Sequence, residues 1–154
     1  MNQAPSGKAT TKKETFSRET SVSVDVQADP SVVWSLLTNA ADIPRWNSTV
    51  VSLEGSIKEG ETLQLRSTLD ENRTFKLKVK EIQPEKRLVW GDSQGERVYQ
   101  LSQNEGGGVT FSMTEKIGGL MFPLFSRFIP DFDASFEQYA ADLKKEAETI
   151  QRSK

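Results

Sequence analysis

Two charged residues stand on strand faces that are otherwise apolar: Arg97, within Glu96–Gln103, and Glu115, within Val109–Ile117. Both segments alternate with period two. Alternation groups Arg97 with Tyr99 and Leu101, and Glu115 with Val109, Phe111 and Met113. A charge on such a face must be paired, because burying it alone is costly. Either the two residues pair with each other, or Arg97 meets an acidic group on a ligand. Read as reagents, Glu115 is a base, Arg97 an oxyanion stabiliser and Tyr99 an acid. Read as structure, Arg97 and Glu115 are an ion pair at a solvent-reachable edge.

The rest of the composition narrows the chemistry. The chain has no histidine and no cysteine, so imidazole bases, thiolate nucleophiles and metal sites built on either are excluded. No tight Asp/Glu motif suggests a carboxylate metal site. Gly106-Gly107-Gly108 lies between two strand patterns rather than before a helix, so it is no phosphate loop. No cofactor and no metal is expected. A formal net charge of −2 over 154 residues argues against a nucleic-acid partner. No apolar run approaches the roughly 20 residues that span a bilayer, so stable membrane insertion is not expected. The N-terminus lacks an apolar signal core, which makes a cytoplasmic location the expectation.

These residues must be held by a sheet. Residues 1–18 are polar and aperiodic and read as a disordered tail before one domain over 19–154. Seven strands follow from the pattern. Val22, Val24 and Val26 share a face of the first. Ser48–Glu54 is short. Leu63, Leu65, Ser67 and Leu69 share a face of Gly60–Leu69, before a turn at Asp70-Glu71-Asn72. In Arg73–Gln83, Phe75, Leu77 and Val79 face one way and Lys76, Lys78 and Lys80 the other, the lysines reading as a solvated face. Leu88 and Trp90 mark Arg87–Gly91, and the two strands of Arg97 and Glu115 complete the set.

Two short helices interrupt this pattern between Gln27 and Trp46. Asp29 is placed to cap the first and Pro30 suits its first position, with Val33, Trp34 and Leu37 on one face. The second closes at Pro44-Arg45-Trp46. A long helix runs from Asp131 to about Arg152, with Phe132, Phe136, Tyr139, Ala140, Leu143, Ala147 and Ile150 as one stripe; Asp131 or Asp133 is its expected cap. Before it, Gly118 to Pro130 is unusually apolar. It suits a hinged lid, a membrane-touching or partner-docking surface, or core at the helix root, with Met121 and Phe122 expected near an opening.

The motifs in order carry a resemblance. Ala28-Asp29-Pro30-Ser31-Val32-Val33-Trp34, then Asp42-Ile43-Pro44-Arg45-Trp46-Asn47, then Leu88-Val89-Trp90, then Thr114-Glu115 with Gly118, resemble the START-like superfamily (SRPBCC, birch-pollen-allergen-like), and within it the uncharacterised polyketide cyclase/dehydrase branch. That branch often has histidine where Arg97 stands and threonine where Val109 stands. The resemblance covers about Thr20 to Ile150. It implies an α+β helix-grip fold: a seven-stranded curved antiparallel sheet, two short helices and one long C-terminal helix. It also implies a cavity between the sheet and that helix, for a small hydrophobic ligand, lipid-like or aromatic. The alternative it implies is a cyclase/dehydrase-type enzyme acting on an aromatic or polyketide substrate.

The expected lining is Leu65, Phe75, Leu77, Arg97, Tyr99, Phe111, Met113, Glu115, Phe132, Phe136 and Tyr139. Most are apolar, which fits a packed core as well as a ligand cavity. Gln27–Trp46 and Leu120–Pro130 are the expected opposite walls of the mouth. The chain is expected to be a monomer or weak dimer.

Overall fold

In the computed structural model, which describes residues 5–154, strand β1 (Thr10–Lys13) runs antiparallel to β2 (Ser17–Val26). Every second residue of β2 is buried, from Arg18 and Thr20 to Val22, Val24 and Val26. The chain then leaves the sheet through α1 (Pro30–Thr38), a 3-10 turn at Ala40–Asp42 and α2 (Ile43–Trp46). Six strands follow as a meander: β3 (Val50–Glu54), β4 (Thr62–Ser67), β5 (Asp70–Gln83), β6 (Arg87–Gly91), β7 (Gly95–Gln103) and β8 (Val109–Gly118). The sheet order is β1-β2-β8-β7-β6-β5-β4-β3, and every pairing is antiparallel. A short helix α3 (Phe122–Phe125), a 3-10 turn at Ser126–Phe128 and the long α4 (Asp133–Arg152) complete the chain.

The architecture is α+β with a curved antiparallel sheet, as expected, but the sheet has eight strands rather than seven, and there are three short helices rather than two before the long one. The additional strand is β1, drawn from the stretch read as tail. Its sequence, Thr-Thr-Lys-Lys, has no apolar alternation because it is an exposed edge strand. Backbone pairing with β2 and polar side-chain bonds hold it. Ala9 N–H donates to Glu137 at 2.9 Å, and the Thr11 hydroxyl donates to Asp133 on α4. Residues 1–4 of the same stretch lie outside the described residues.

Four local expectations are corrected. The β4–β5 turn is at Thr68–Leu69, and Asp70-Glu71-Asn72 already belong to β5. Polar bonds set this turn: Leu69 N–H donates to the Ser67 hydroxyl, and Thr68 N–H to the Thr49 carbonyl at 3.0 Å. On α1 the buried stripe is Val32, Val33, Leu36 and Leu37, with Trp34 only half-buried. Asp29 does occupy the N-cap position, but its side chain makes no capping bond. Its carbonyl accepts from Val32 and Val33, and its N–H donates to Gln151 on α4 at 2.9 Å. The N-cap of α4 is Phe132, with Asp133 in the first turn.

The α4 stripe is buried as the period requires: Phe136, Tyr139, Ala140, Leu143 and Ala147 are all sealed. Twenty residues give α4 about 30 Å of length, enough to serve two ends of the molecule differently. Its middle and C-terminal half receive α1, α2 and the residues flanking them. Glu148 accepts from Gln27 N–H, Glu146 from Arg45, and Trp46 packs edge-on against Tyr139 at 5.9 Å. Its N-terminal end faces the far ends of β7 and β8, away from their hairpin. In that hairpin Gly108 sits at φ +78°, where a Cβ would fall 2.6 Å from the Val26 carbonyl; only glycine closes the turn this tightly.

Candidate functional site

Arg97 and Glu115 are direct partners in the β7–β8 register. Nε of Arg97 donates to Oε1 of Glu115 at 2.6 Å, and the side chains are 14% and 18% exposed. Arg97 Nη1 also reaches the Tyr99 hydroxyl at 3.5 Å, and its guanidinium lies 5.1 Å from the Phe136 ring centroid. Burial works against the guanidinium's charge. The Glu115 carboxylate and the Tyr99 hydroxyl outweigh it and hold Arg97 above the ordinary arginine range. Burial also pushes the Tyr99 phenol up, opposed by Arg97, and pushes Tyr139 up further, with Tyr99 adding to the effect.

Along β8 the inward face changes character. Val109, Phe111 and Met113 are sealed, whereas Glu115 and Ile117 are only partly covered. An open cavity of about 170 Å³ begins where the covering ends. Leu65, Phe75, Leu77, Trp90, Ile117 and Phe132 form its apolar walls. Arg97 and Glu115 stand on its inner side, and Phe128, Ile129 and Pro130 border it from the segment before α4. Asp70, Arg73, Asp92 and Glu96 are also in its wall. The β6–β7 turn is held by Asp92, which accepts from the N–H groups of Gln94 and Gly95 at 2.8 and 3.0 Å. Arg73 lies over the Phe75 ring at 4.4 Å, and Glu96 pairs with Lys80 at 2.9 Å.

The eleven residues expected as lining fall into three places. Leu65, Phe75, Leu77, Arg97, Glu115 and Phe132 meet at the cavity. Met113, Phe136 and Tyr139 border a second space of about 10 Å³, which Leu65 and Arg97 also touch; that is room for one water at most. Tyr99 and Phe111 line neither and stack within the core, with Tyr99 5.1 Å from Trp90 and Phe111 6.2 Å from Tyr139. The cavity wall also includes residues outside those eleven, among them Leu69, Asp70, Arg73, Asp92, Glu96 and Ile117. Trp90, marked in the sequence only as a residue of the Arg87–Gly91 strand, also lines the cavity. Ile117 continues the period of Phe111, Met113 and Glu115, which is the signal that marks it.

The mouth is not built as expected. No residue between Gln27 and Trp46 lines the cavity. That stretch closes the opposite end, because β2 delivers it beside the β7–β8 hairpin: Val26 pairs with Val109. There Asp42, Arg45 and Glu146 form a surface ion network at 2.8 Å. Arg45 holds the Asp42 carboxyl below its usual value. Trp46 is buried against Tyr139, its Nε1 without a partner among the described residues.

The apolar segment is split in function. Phe122 is buried, edge-on to Phe125 at 5.5 Å, while Leu120, Met121, Leu124 and Phe128 are exposed. Gly119, at φ +130°, lets the chain leave β8. The end of the segment is gripped from β2. Arg18 Nη2 donates to the Pro130 carbonyl at 2.8 Å, and its guanidinium lies 4.8 Å from the Phe132 ring centroid. Arg18 is 6% exposed.

Residues 17–148 match a family model described as polyketide cyclase/dehydrase and lipid transport. The chain belongs to that family. Solved structures repeat the fold at low identity. A conserved protein of unknown function from Enterococcus faecalis superposes with a TM-score of 0.67 at 15% identity, over 92% of this chain and 78% of the other. A START superfamily protein from Mycobacterium smegmatis gives 0.63 at 14% identity, over 86% and 98%. DynU16, a putative protein of the dynemicin biosynthetic locus, gives 0.63 at 17% identity, over 87% of this chain and 48% of the other. No curated protein matches the chain. The family makes this a ligand-binding fold. No described helix is long and apolar enough to cross a membrane.

Proposed function

We propose that this protein binds a small hydrophobic ligand, lipid-like or aromatic, between the sheet and the start of the C-terminal helix. The observation that carries the reading is a cavity of about 170 Å³ whose walls are largely aliphatic and aromatic and whose inner side presents a single ion pair. Apolar walls with a few convergent polar groups are the usual form of a small-molecule site. The volume holds one ring or a short chain; a longer ligand extends past Phe128 into solvent. Native mass spectrometry of freshly purified protein tests this, with a bound compound expected. The reading fails if no compound is retained and none binds from a panel of fatty acids, sterols and polyphenols. A cytoplasmic, monomeric or weakly dimeric protein belongs to the same proposal.

Family membership supports a second reading, a cyclase/dehydrase-type enzyme. Arg97 and Glu115 are then the oxyanion stabiliser and base, since both border the cavity. Tyr99 is a poor acid for it, being 2% exposed and outside the cavity wall. Loss of turnover in Glu115→Gln with ligand affinity retained is the result expected of an enzyme; a purely binding protein loses affinity alone.

A further inference from the structure

The charges around the cavity point to the kind of ligand it takes. Four carboxylates, Asp70, Asp92, Glu96 and Glu115, stand against two guanidiniums, Arg73 and Arg97. The inner cation is already neutralised, with Arg97 Nε 2.6 Å from Glu115. A ligand carboxylate therefore either shares the guanidinium with Glu115, which brings two like charges together, or draws Arg97 away and leaves Glu115, only 18% exposed, without its counter-ion. It must also pass a wall with more negative than positive charge. Arg73, the other cation, lies over the Phe75 ring and is exposed, so water competes with an anion for its donors.

Arg97 nevertheless keeps a donor to offer. Its Nε and Nη1 bond Glu115 and Tyr99, while Nη2 has no hydrogen-bond partner among the described residues. Nη2 is not sealed either, since the one buried unpartnered side-chain atom among the described residues is Trp46 Nε1. A neutral acceptor can use this donor without breaking the ion pair. An ammonium group meets the repelling guanidinium on the inner side and gains only from wall carboxylates that water also reaches. The volume of about 170 Å³ is close to the roughly 150 Å³ of an engineered cavity that accepts benzene.

We infer that the site selects an uncharged molecule of about single-ring size carrying one hydrogen-bond acceptor, which Arg97 Nη2 contacts, and that it turns away carboxylates. This rests on the binding reading above and specifies its ligand class. Four single-ring probes separate the terms: acetophenone, ethylbenzene, benzoate and benzylammonium. Each is titrated into nitrogen-15-labelled protein, following backbone amides and the Arg97 side-chain Nε–Hε resonance.

Acetophenone is expected to shift the Arg97 resonance and to saturate at least about tenfold below benzoate, with ethylbenzene moving wall amides only. In Glu115→Gln, where Arg97 loses its counter-charge, the benzoate disadvantage is expected to disappear. Benzoate or benzylammonium binding as tightly as acetophenone to the wild type overturns the inference, as does a ketone that moves the wall amides and leaves Arg97 unshifted. If no probe moves any cavity resonance, this inference falls, while the binding reading is decided separately by the retained compound and the ligand panel. The wild-type comparison stands whether or not Glu115→Gln folds.

Discussion

Arg18 on β2 and Phe132 at the start of α4 form a clasp, guanidinium over ring at 4.8 Å, that closes one side of the cavity. The same guanidinium holds the Ile129 and Pro130 carbonyls, at 3.4 and 2.8 Å. One buried arginine therefore fixes three of the residues that line the site: Ile129, Pro130 and Phe132.

Arg18→Ala should destabilise the fold by about 2–3 kcal/mol, from the lost charged hydrogen bonds and stacking. Urea unfolding reads that loss. Hydrogen exchange should accelerate most at Phe128 to Phe132. Arg18→Lys should recover little, because an ammonium cannot serve two carbonyls and a ring with one plane. A full rescue by lysine would show that the charge alone matters.

Glu115→Ala strands Arg97 on a largely apolar face. Its cost should be about 2–4 kcal/mol, at or below the range for a fully sealed pair because this one borders the cavity. The double variant Arg97→Met/Glu115→Leu should recover most of that. A double-mutant cycle by chemical denaturation measures the coupling; additive losses would show that the pair contributes nothing beyond its members.

Both tyrosines in the chain, Tyr99 and Tyr139, are buried with their phenols raised. Each folded value lies above the unfolded one near 10. Folding stability is therefore independent of them below pH 10 and falls as the pH rises above it. Ultraviolet titration should show no phenolate until above pH 10, and then both groups together with loss of the fold. A single tyrosine ionising near 10 in the folded protein would contradict the burial seen here.

Glu148 behaves in the opposite sense. Burial raises its carboxyl, but the Gln27 N–H at 2.9 Å and Lys144 at 2.7 Å outweigh this and hold it below 4.5. A depressed folded value contributes stability that is present above the unfolded value and is lost as the pH falls through the folded one. Glu148→Gln should therefore lower stability at neutral pH and flatten its decline below about pH 4.5. An unchanged acid limb in thermal melts across that range would remove Glu148 from the account.

The Arg97–Glu115 pairing was legible because two alternating strands joined by a tight glycine hairpin have few registers that keep both faces apolar. The α4 stripe was legible for the same kind of reason: a helical period over 20 residues specifies its own buried side. The strand β1 was not, since an edge strand held by backbone bonds and by contacts with Glu137 and Asp133, more than 120 residues away, leaves no hydrophobic pattern. The β4–β5 turn was misplaced because Asp-Glu-Asn looks like a turn, whereas Thr49, distant in sequence, decides the bend at Thr68.

By itself the sequence determined which side of most strands faces inward, which face of α4 meets the sheet, and that the inner faces of β7 and β8 carry one cation beside one anion. The tertiary structure decided how far along each strand that face is filled. Phe111 and Glu115 share a face of β8, yet one is sealed among aromatic rings and the other opens on a cavity. Alternation has no term for depth. What separates the two is where α4 ends and where the 128–132 segment is held by Arg18, contacts that close over more than a hundred residues. The same long-range packing set Gln27–Trp46 against the middle and C-terminal half of α4, away from the site.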